Sequence, residues 1–151
     1  MGGWLALLAM RELLKNTPRN KPSGLVLIAP AVDFTERLMW ERFPPEIKQE
    51  ILEKGVYFRA SAYSPEPYPI TRALIEDGRR HLLFGGTIAA GCPVHILQGM
   101  QDPDVPWRHA LELVEHLPGE SVSMTLIKDG DHRLSREEDL ERLIAAVEAI
   151  V

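Results

Sequence analysis

The chain has little of several features that would mark a particular class of protein. Its single cysteine, Cys92, cannot form an internal disulfide, which suits a reducing compartment and predicts a cytoplasmic location. Its formal net charge of −5 provides no basic stripe for nucleic acid or for an anionic membrane surface. No apolar run approaches the roughly 20 residues that a membrane span requires. These absences favour a small molecule as the binding partner.

A chain of 151 residues, of which 45% are hydrophobic and 26% charged, is typical of one globular domain. Helical and strand patterns alternate along most of it. The predicted elements are a helix over residues 2–15, strands over 25–29 and 93–97, a helix over 107–117, a strand over 122–127 and a helix over 135–151. Because strands that alternate with helices pair in parallel through crossovers, the predicted fold class is α/β, with a parallel sheet and flanking helices.

The middle of the chain has a different character. Five prolines interrupt residues 31 to about 91, and short helical patterns at 45–54 and 70–83 lie among them. This segment is too long for a simple connection and too irregular for a core. It predicts a helical lid, about residues 31–91, inserted between two strands.

The first predicted strand has an unprotected edge. Residues 25–29 form a continuous apolar run, which is typical of a strand buried in a parallel sheet, whereas residues 122–127 are more polar, as in an edge strand. With three strands predicted, one side of the first strand lacks a partner within the chain. We therefore interpret residues 1–151 as a single partial domain. The missing strands would lie upstream, or another chain would associate with this strand edge.

Two of the predicted strands are followed directly by polar turns that could carry catalysis. Asp102 follows the strand at 93–97, and His132 follows the strand at 122–127. The carboxyl ends of parallel strands meet at one edge of a sheet, where catalytic groups collect. There an aspartate can bond the imidazole Nδ1–H while Nε2 takes a proton from a serine. The order of nucleophile, acid and histidine is that of a serine hydrolase triad on an α/β sheet.

Each of these residues alone is an ordinary one, since aspartates form turns and histidines occur in loops. Asp104, Asp129 and Asp131 are alternative partners for the histidine. Pro103 and Pro106 interrupt any calcium-loop pattern, and no His-Glu-x-x-His helix is present, so no metal site is predicted. The remaining histidines are predicted to be structural or solvated: His81, His95, His109 and His116.

The serine of such a triad is not visible. The chain opens Met1-Gly2-Gly3-Trp4, which reads like the second half of a Gly-x-Ser-x-Gly elbow with the serine just before Met1. No internal serine lies on an elbow flanked by glycines. If Met1 is the true first residue, the chain should be nearly inert.

Beyond the general pattern, several specific stretches resemble the C-terminal portion of a serine α/β-hydrolase. The resemblance is to the group of the mitochondrial palmitoyl-protein thioesterase, also known as mycophenolic acid acyl-glucuronide esterase, and its bacterial relatives. The matching stretches begin at Met1-Gly2-Gly3-Trp4 and continue with Pro45-Glu46-Ile47-Lys48, Lys54-Gly55-Val56, Ser61-Ala62-Tyr63-Ser64, Cys92-Pro93-Val94, Gly99-Met100-Gln101-Asp102, Val105-Pro106-Trp107 and Asp131-His132-Arg133.

The resemblance implies hydrolysis of a carboxylic ester or an acyl thioester through an acyl-serine, with no metal or organic cofactor. It assigns Asp102 as the triad acid, His132 as the general base and the Met1 N–H as an oxyanion-hole donor. Apolar residues of the lid would line an acyl pocket or simply pack the lid: Met39, Trp40, Phe43, Tyr57 and Phe58. The alternative is a non-catalytic, truncated hydrolase fold that acts only by binding, through its open strand edge.

Overall fold

The computed structural model describes residues 1–61, 64–119 and 121–150. The chain divides into two compact units, one of Met1–Val32 with Leu83–Val151 and one of Asp33–Leu82. Residues 83–91, which the sequence analysis placed in the inserted lid, therefore belong to the first unit. The role of the second unit as a lid stays a prediction.

The described residues form five principal helices and five strands. In chain order the helices are α1 (Gly2–Asn16), α2 (Pro45–Lys54), α3 (Arg72–Gly78), α4 (Trp107–His116) and α5 (Glu137–Ile150). The strands are β1 (Leu25–Ile28), β2 (Val56–Arg59), β3 (Tyr68–Thr71), β4 (Val94–Gly99) and β5 (Val122–Ile127). None of these helices combines the length and the apolar character needed to cross a membrane.

The first unit contains a three-stranded sheet in the order β1-β4-β5, with both pairs parallel. Leu27 lies opposite Ile96, and Ile96 lies opposite Met124. The predicted α/β class and parallel pairing are confirmed. Within the described residues the other edge of β1 pairs with no strand, as the sequence predicted.

The sheet is covered on one face by α5. Leu97 and Ile127 form a buried cluster with Leu134 of the connecting loop and Ala146 of α5, and Leu143 packs against it. The helix α1 is largely apolar, and one stripe of it is buried by the described residues. That buried stripe consists of Trp4, Leu7 and Met10.

The second unit has a core of Ile51, Ile70 and Ile75 between α2, α3 and an antiparallel β2–β3 hairpin. This hairpin was not predicted. The helix expected over 70–83 begins only at Arg72, because Thr71 ends β3 and caps α3, accepting the Leu74 N–H at 3.0 Å.

The candidate pocket residues of the predicted lid divide into two groups. Phe58 is 60% exposed. The others pack against the core of the second unit: Met39, Trp40, Phe43 and Tyr57. Of the stretches that carried the family resemblance, residues 62 and 63 lie outside the described part of the chain.

Candidate functional site

Asp102 lies in the loop between β4 and α4, and its side chain is completely buried, with 0% exposed. Its Oδ1 accepts backbone hydrogen bonds from the N–H groups of Asp104 at 2.8 Å and Val105 at 2.9 Å. An aspartate ahead of a proline favours this turn, because its carboxylate reaches the amides two and three residues on. These bonds fix the carboxylate through one oxygen.

His132 lies in the loop between β5 and α5. Next to it, Asp131 Oδ1 accepts hydrogen bonds from the N–H groups of Arg133 at 3.0 Å and Leu134 at 2.9 Å. Leu134 adopts a φ of 46° and is buried in the core. The loop therefore turns sharply after His132 and is held there by a buried side chain.

The two loops contact each other closely. The Gln101 N–H donates to Gly130 O at 2.9 Å. A Cβ at Gly99 would overlap the Gly130 carbonyl, so this approach requires glycine at position 99. The result is that His132 Nδ1 lies 2.8 Å from the Oδ2 atom of Asp102, with the imidazole 35% exposed. The structure thus brings together the two residues that the sequence selected.

The beginning of α1 lies at the same edge of the sheet. A Cβ at Gly3 would lie 2.8 Å from Cβ of Pro30, just beyond the carboxyl end of β1. The Met1 carbonyl accepts hydrogen bonds from the N–H groups of Trp4 at 3.0 Å and Leu5 at 3.2 Å, so Met1 immediately precedes the first turn. The start of α1 and the loops after β4 and β5 therefore share the carboxyl edge of the parallel sheet.

Two of the three alternative acids have other contacts, while a carboxylate oxygen of the third, Asp104, lies within 4.8 Å of Asp102 and His132. Asp129 pairs with Arg136, whose Nη1 lies 2.7 Å from its Oδ2. Asp131 caps the turn that follows it. The aspartate that bonds the imidazole is Asp102.

Asp102, Asp104 and His132 each offer one atom that could bind a metal ion, and these atoms lie within 4.8 Å of one another. Both oxygens of Asp102, however, already accept hydrogen bonds from backbone amides or the imidazole. A hydrogen-bonded acid and base is sufficient to explain this arrangement, so we assign no metal to it.

Comparison with known proteins shows what the chain is similar to. No protein-family model matches the chain. The chain is 30% identical over 152 aligned residues to human mitochondrial palmitoyl-protein thioesterase ABHD10, covering 100% of this chain and 48% of that protein. The mouse protein of that name is 32% identical, with 100% and 49% covered.

The chain is also similar in structure to solved proteins of the same fold. A protein of Agrobacterium vitis S4 classed as a hydrolase is 51% identical, with a TM-score of 0.95 over 100% of this chain and 58% of its own. The mouse alpha/beta hydrolase domain-containing protein 10 is 31% identical, with a TM-score of 0.84 over 98% of this chain and 57% of its own. The chain has the fold of the C-terminal part of an α/β-hydrolase. It spans about half the length of the curated relatives it matches.

Two side chains that support the site were missed by the sequence reasoning. Gln98 is completely buried beside Asp102, and its signal was a polar residue directly after the apolar pair Ile96-Leu97. Arg136 Nη1 donates to Asp129 Oδ2 and Arg136 Nε donates to Oδ2 of the buried Asp139, both at 2.7 Å. Its signal was an arginine three residues before an aspartate in the first turn of a helix.

Arg136 connects the two ends of the loop that carries His132, because Asp129 precedes His132 in the chain and Asp139 follows it. Hydrogen bonds from Arg136 are the main reason that the pKa values of the Asp129 and Asp139 carboxyls lie below their usual range. The same bonds raise the pKa of the guanidinium. Each of the three groups is therefore held in its charged form.

The other histidines and the cysteine lie elsewhere. His109 is buried, with Nε2 2.8 Å from Val32 O, and His116 Nε2 lies 3.1 Å from Phe84 O. The remaining two interact with their neighbours, His95 with Ser123 and Thr125, and His81 with Asp77. Burial raises the pKa of the Cys92 thiol, which favours the neutral form rather than a nucleophilic thiolate.

Proposed function

We propose that this chain supplies the acid and the general base of a serine hydrolase that cleaves carboxylic esters or acyl thioesters. The observation that carries the proposal is the 2.8 Å distance between Asp102 Oδ2 and His132 Nδ1. The carboxylate is buried while the imidazole is partly exposed, so the base can reach a substrate although the acid cannot. No metal or organic cofactor is needed for this chemistry.

In the proposed mechanism Asp102 accepts a hydrogen bond from Nδ1–H of His132 and so fixes the tautomer whose Nε2 lone pair is basic. Nε2 removes the proton from a serine Oγ as that oxygen attacks the acyl carbon. The resulting imidazolium then protonates the leaving alcohol or thiol, which leaves an acyl-serine. Water, deprotonated by the same Nε2, hydrolyses the acyl-serine and regenerates the serine hydroxyl.

We propose that the nucleophile is a serine immediately upstream of Met1, at the N-terminal end of α1. The Met1 backbone N–H would then donate to the oxyanion, as the residue after the nucleophile does in this fold. Loss of a triad nucleophile lowers turnover by about a million-fold. We therefore expect the chain beginning at Met1 to be almost inert on its own.

The proposed substrate class is based on the names of the curated relatives. The curated relatives are named as palmitoyl-protein thioesterases, and we propose an acyl thioester or ester for this chain on that basis. The chain length of the acyl group is left to measurement, with p-nitrophenyl esters and acyl thioesters of increasing length. The cytoplasmic location expected from the single cysteine also stays a prediction.

The test is a chimaera in which the part of the Agrobacterium vitis protein that precedes the aligned region is fused before Met1, with the last three residues of the fused part designed as Gly-x-Ser. We expect a fluorophosphonate probe to label it and p-nitrophenyl esters to be turned over. Asp102→Asn should lower turnover about ten-thousand-fold, and His132→Ala should abolish it. Asp104→Asn and His81→Ala are matched controls that should keep activity. Full activity of the His132→Ala chimaera would rule the mechanism out.

A second candidate function is a non-catalytic binding module. It is favoured by the unpaired edge of β1 and by an exposed apolar stripe on α5, where Ile144 is 58% exposed between Leu140 and Val147. Such a surface suits the upstream half of an α/β-hydrolase, supplied by another chain. An experiment that mixes this chain with the separately expressed upstream half distinguishes the enzyme from the binding module. A complex that forms but never reacts with fluorophosphonate favours the binding module, whereas a complex that is labelled favours the enzyme.

A further inference from the structure

We propose that Gln98 is a positioning residue that holds Asp102 in register with His132. This inference rests on the proposed function, because it assumes that the Asp102–His132 pair is the acid and base of the site. It adds a residue to that site which touches neither the substrate nor the reacting atoms.

The contacts of Gln98 bracket the loop that carries Asp102. Its Nε2 donates to Gly99 O at 2.9 Å and to Val105 O at 3.0 Å, at the two ends of that loop. The same Nε2 lies 3.4 Å from Asp102 Oδ2, the oxygen that faces His132. One amide therefore connects both ends of the loop and borders the carboxylate oxygen that orients the imidazole.

The orientation of the amide is fixed by its surroundings. Reversing it would place Oε1 against the oxygen atoms of Gly99, Val105 and Asp102, which all carry negative partial or formal charge. In the observed orientation Oε1 is buried and accepts no hydrogen bond from the described residues. An unpaired buried acceptor such as Oε1 lowers the stability of the core. A glutamine at this position is therefore a cost to stability that the hydrogen bonds from its Nε2 must offset.

A neighbouring glutamine provides a matched control. Gln101 also bridges the two site loops, since its Nε2 donates to Lys128 O at 3.1 Å, but it is exposed. A general loosening of these loops would follow from changing either glutamine. Loss of alignment at Asp102 should follow only from changing Gln98.

The experiment measures the tautomer of His132 by long-range 15N–1H NMR at a pH where the imidazole is neutral. The signal is assigned by its loss in His132→Ala. In the unaltered chain we expect the Nδ1–H tautomer, the one that Asp102 selects. In Gln98→Met, which keeps the length but removes the donors, we expect the ratio of Nδ1–H to Nε2–H to fall about fivefold, as for the loss of one hydrogen bond. Gln101→Met should leave the ratio unchanged.

An unchanged ratio in folded Gln98→Met, or an equal change in Gln101→Met, would overturn the proposal. If Gln98→Met does not fold, Gln98→Glu keeps the volume and places a carboxylate against Asp102, so the ratio should fall at least as far. If neither variant folds, hydrogen exchange of the side-chain amides in the unaltered chain decides. We expect Gln98 to exchange at least about a hundredfold more slowly than Gln101, and equal rates would contradict the proposal.

Catalysis adds a separate readout. In the active chimaera, Gln98→Met should lower kcat about tenfold to a hundredfold with KM unchanged, because alignment rather than substrate binding is lost. The tautomer measurement needs no nucleophile. A changed tautomer together with an active His132→Ala chimaera would reject the proposed function and leave the role of Gln98 in aligning the pair intact.

Discussion

Replacing Gly99 by alanine tests whether the two site loops are held together by direct backbone contact. Gly99 ends β4, and an added methyl group would overlap the carbonyl oxygens of Gly130 and Asp131. Both obstacles are backbone atoms, so a side-chain rotation cannot relieve the overlap. No left-handed φ is involved at this position, so the effect is purely steric.

The size of the effect follows from the geometry. Restoring ordinary van der Waals separation requires the loops to move apart by about 1 Å. That displacement would lengthen the 2.8 Å bond between His132 and Asp102 beyond the hydrogen-bonding range. We expect the free energy of unfolding to fall by about 1 to 3 kcal/mol, as for other overpacked sites. A misplacement of this size should lower turnover of the active chimaera about a hundredfold.

Urea denaturation of the chain measures the first quantity, and ester hydrolysis by the chimaera measures the second. The matched control is Gly85→Ala, because a Cβ at Gly85 meets no atom within 4 Å. The control should change stability by less than about 0.5 kcal/mol. If Gly99→Ala behaves like the control in both assays, the close contact of the loops is not what aligns the pair.

Three further predictions concern stability and reactivity. Arg136→Ala should lower the free energy of unfolding, because its charged hydrogen bonds to Asp129 and Asp139 are lost. Since the pKa of Asp139 is lowered in the folded chain, this stabilisation is complete above the unfolded carboxyl pKa of about 3.9 and is lost as the pH falls through the lower folded value. Urea titrations at several pH values should show the difference from the unaltered chain narrowing on acidification, and a constant difference would contradict the reasoning. Thr71→Ala should cost about 1 kcal/mol by removing the cap of α3, whereas Thr87→Ala, at an exposed position outside the helices and strands, should cost almost nothing. Cys92 should react with iodoacetamide more slowly at neutral pH than free cysteine, because burial raises its pKa, and an equal rate would refute this.

The parts of the fold that could be predicted are those whose sequence patterns are local. β5 was predicted at its observed limits, and α2 likewise, because each has an apolar pattern bounded by residues that end it. The β2–β3 hairpin was missed, because each strand has only four residues and Pro69 within β3 argues against a strand. The spacing of apolar residues along the sequence therefore does not reveal this hairpin.

The site shows the same division. Asp102 and His132 could be selected because parallel strands bring their carboxyl ends to one edge. Whether Asp102 or Asp129 bonds the imidazole depends on how the two loops fold. In the folded chain the imidazole bonds Asp102, and Asp129 pairs with Arg136. The contacts of Gln98 are likewise produced by the return of the chain from Gly99 to Val105, which no local pattern encodes.

Trapping the acyl-enzyme tests the central claim most directly. The active chimaera is mixed with p-nitrophenyl acetate and quenched in acid, and the modified residue is located by mass spectrometry. We predict one acetyl group on the serine immediately before Met1, and no such adduct in the His132→Ala chimaera. An acetyl group on another residue, or equally fast acylation without His132, would contradict the account.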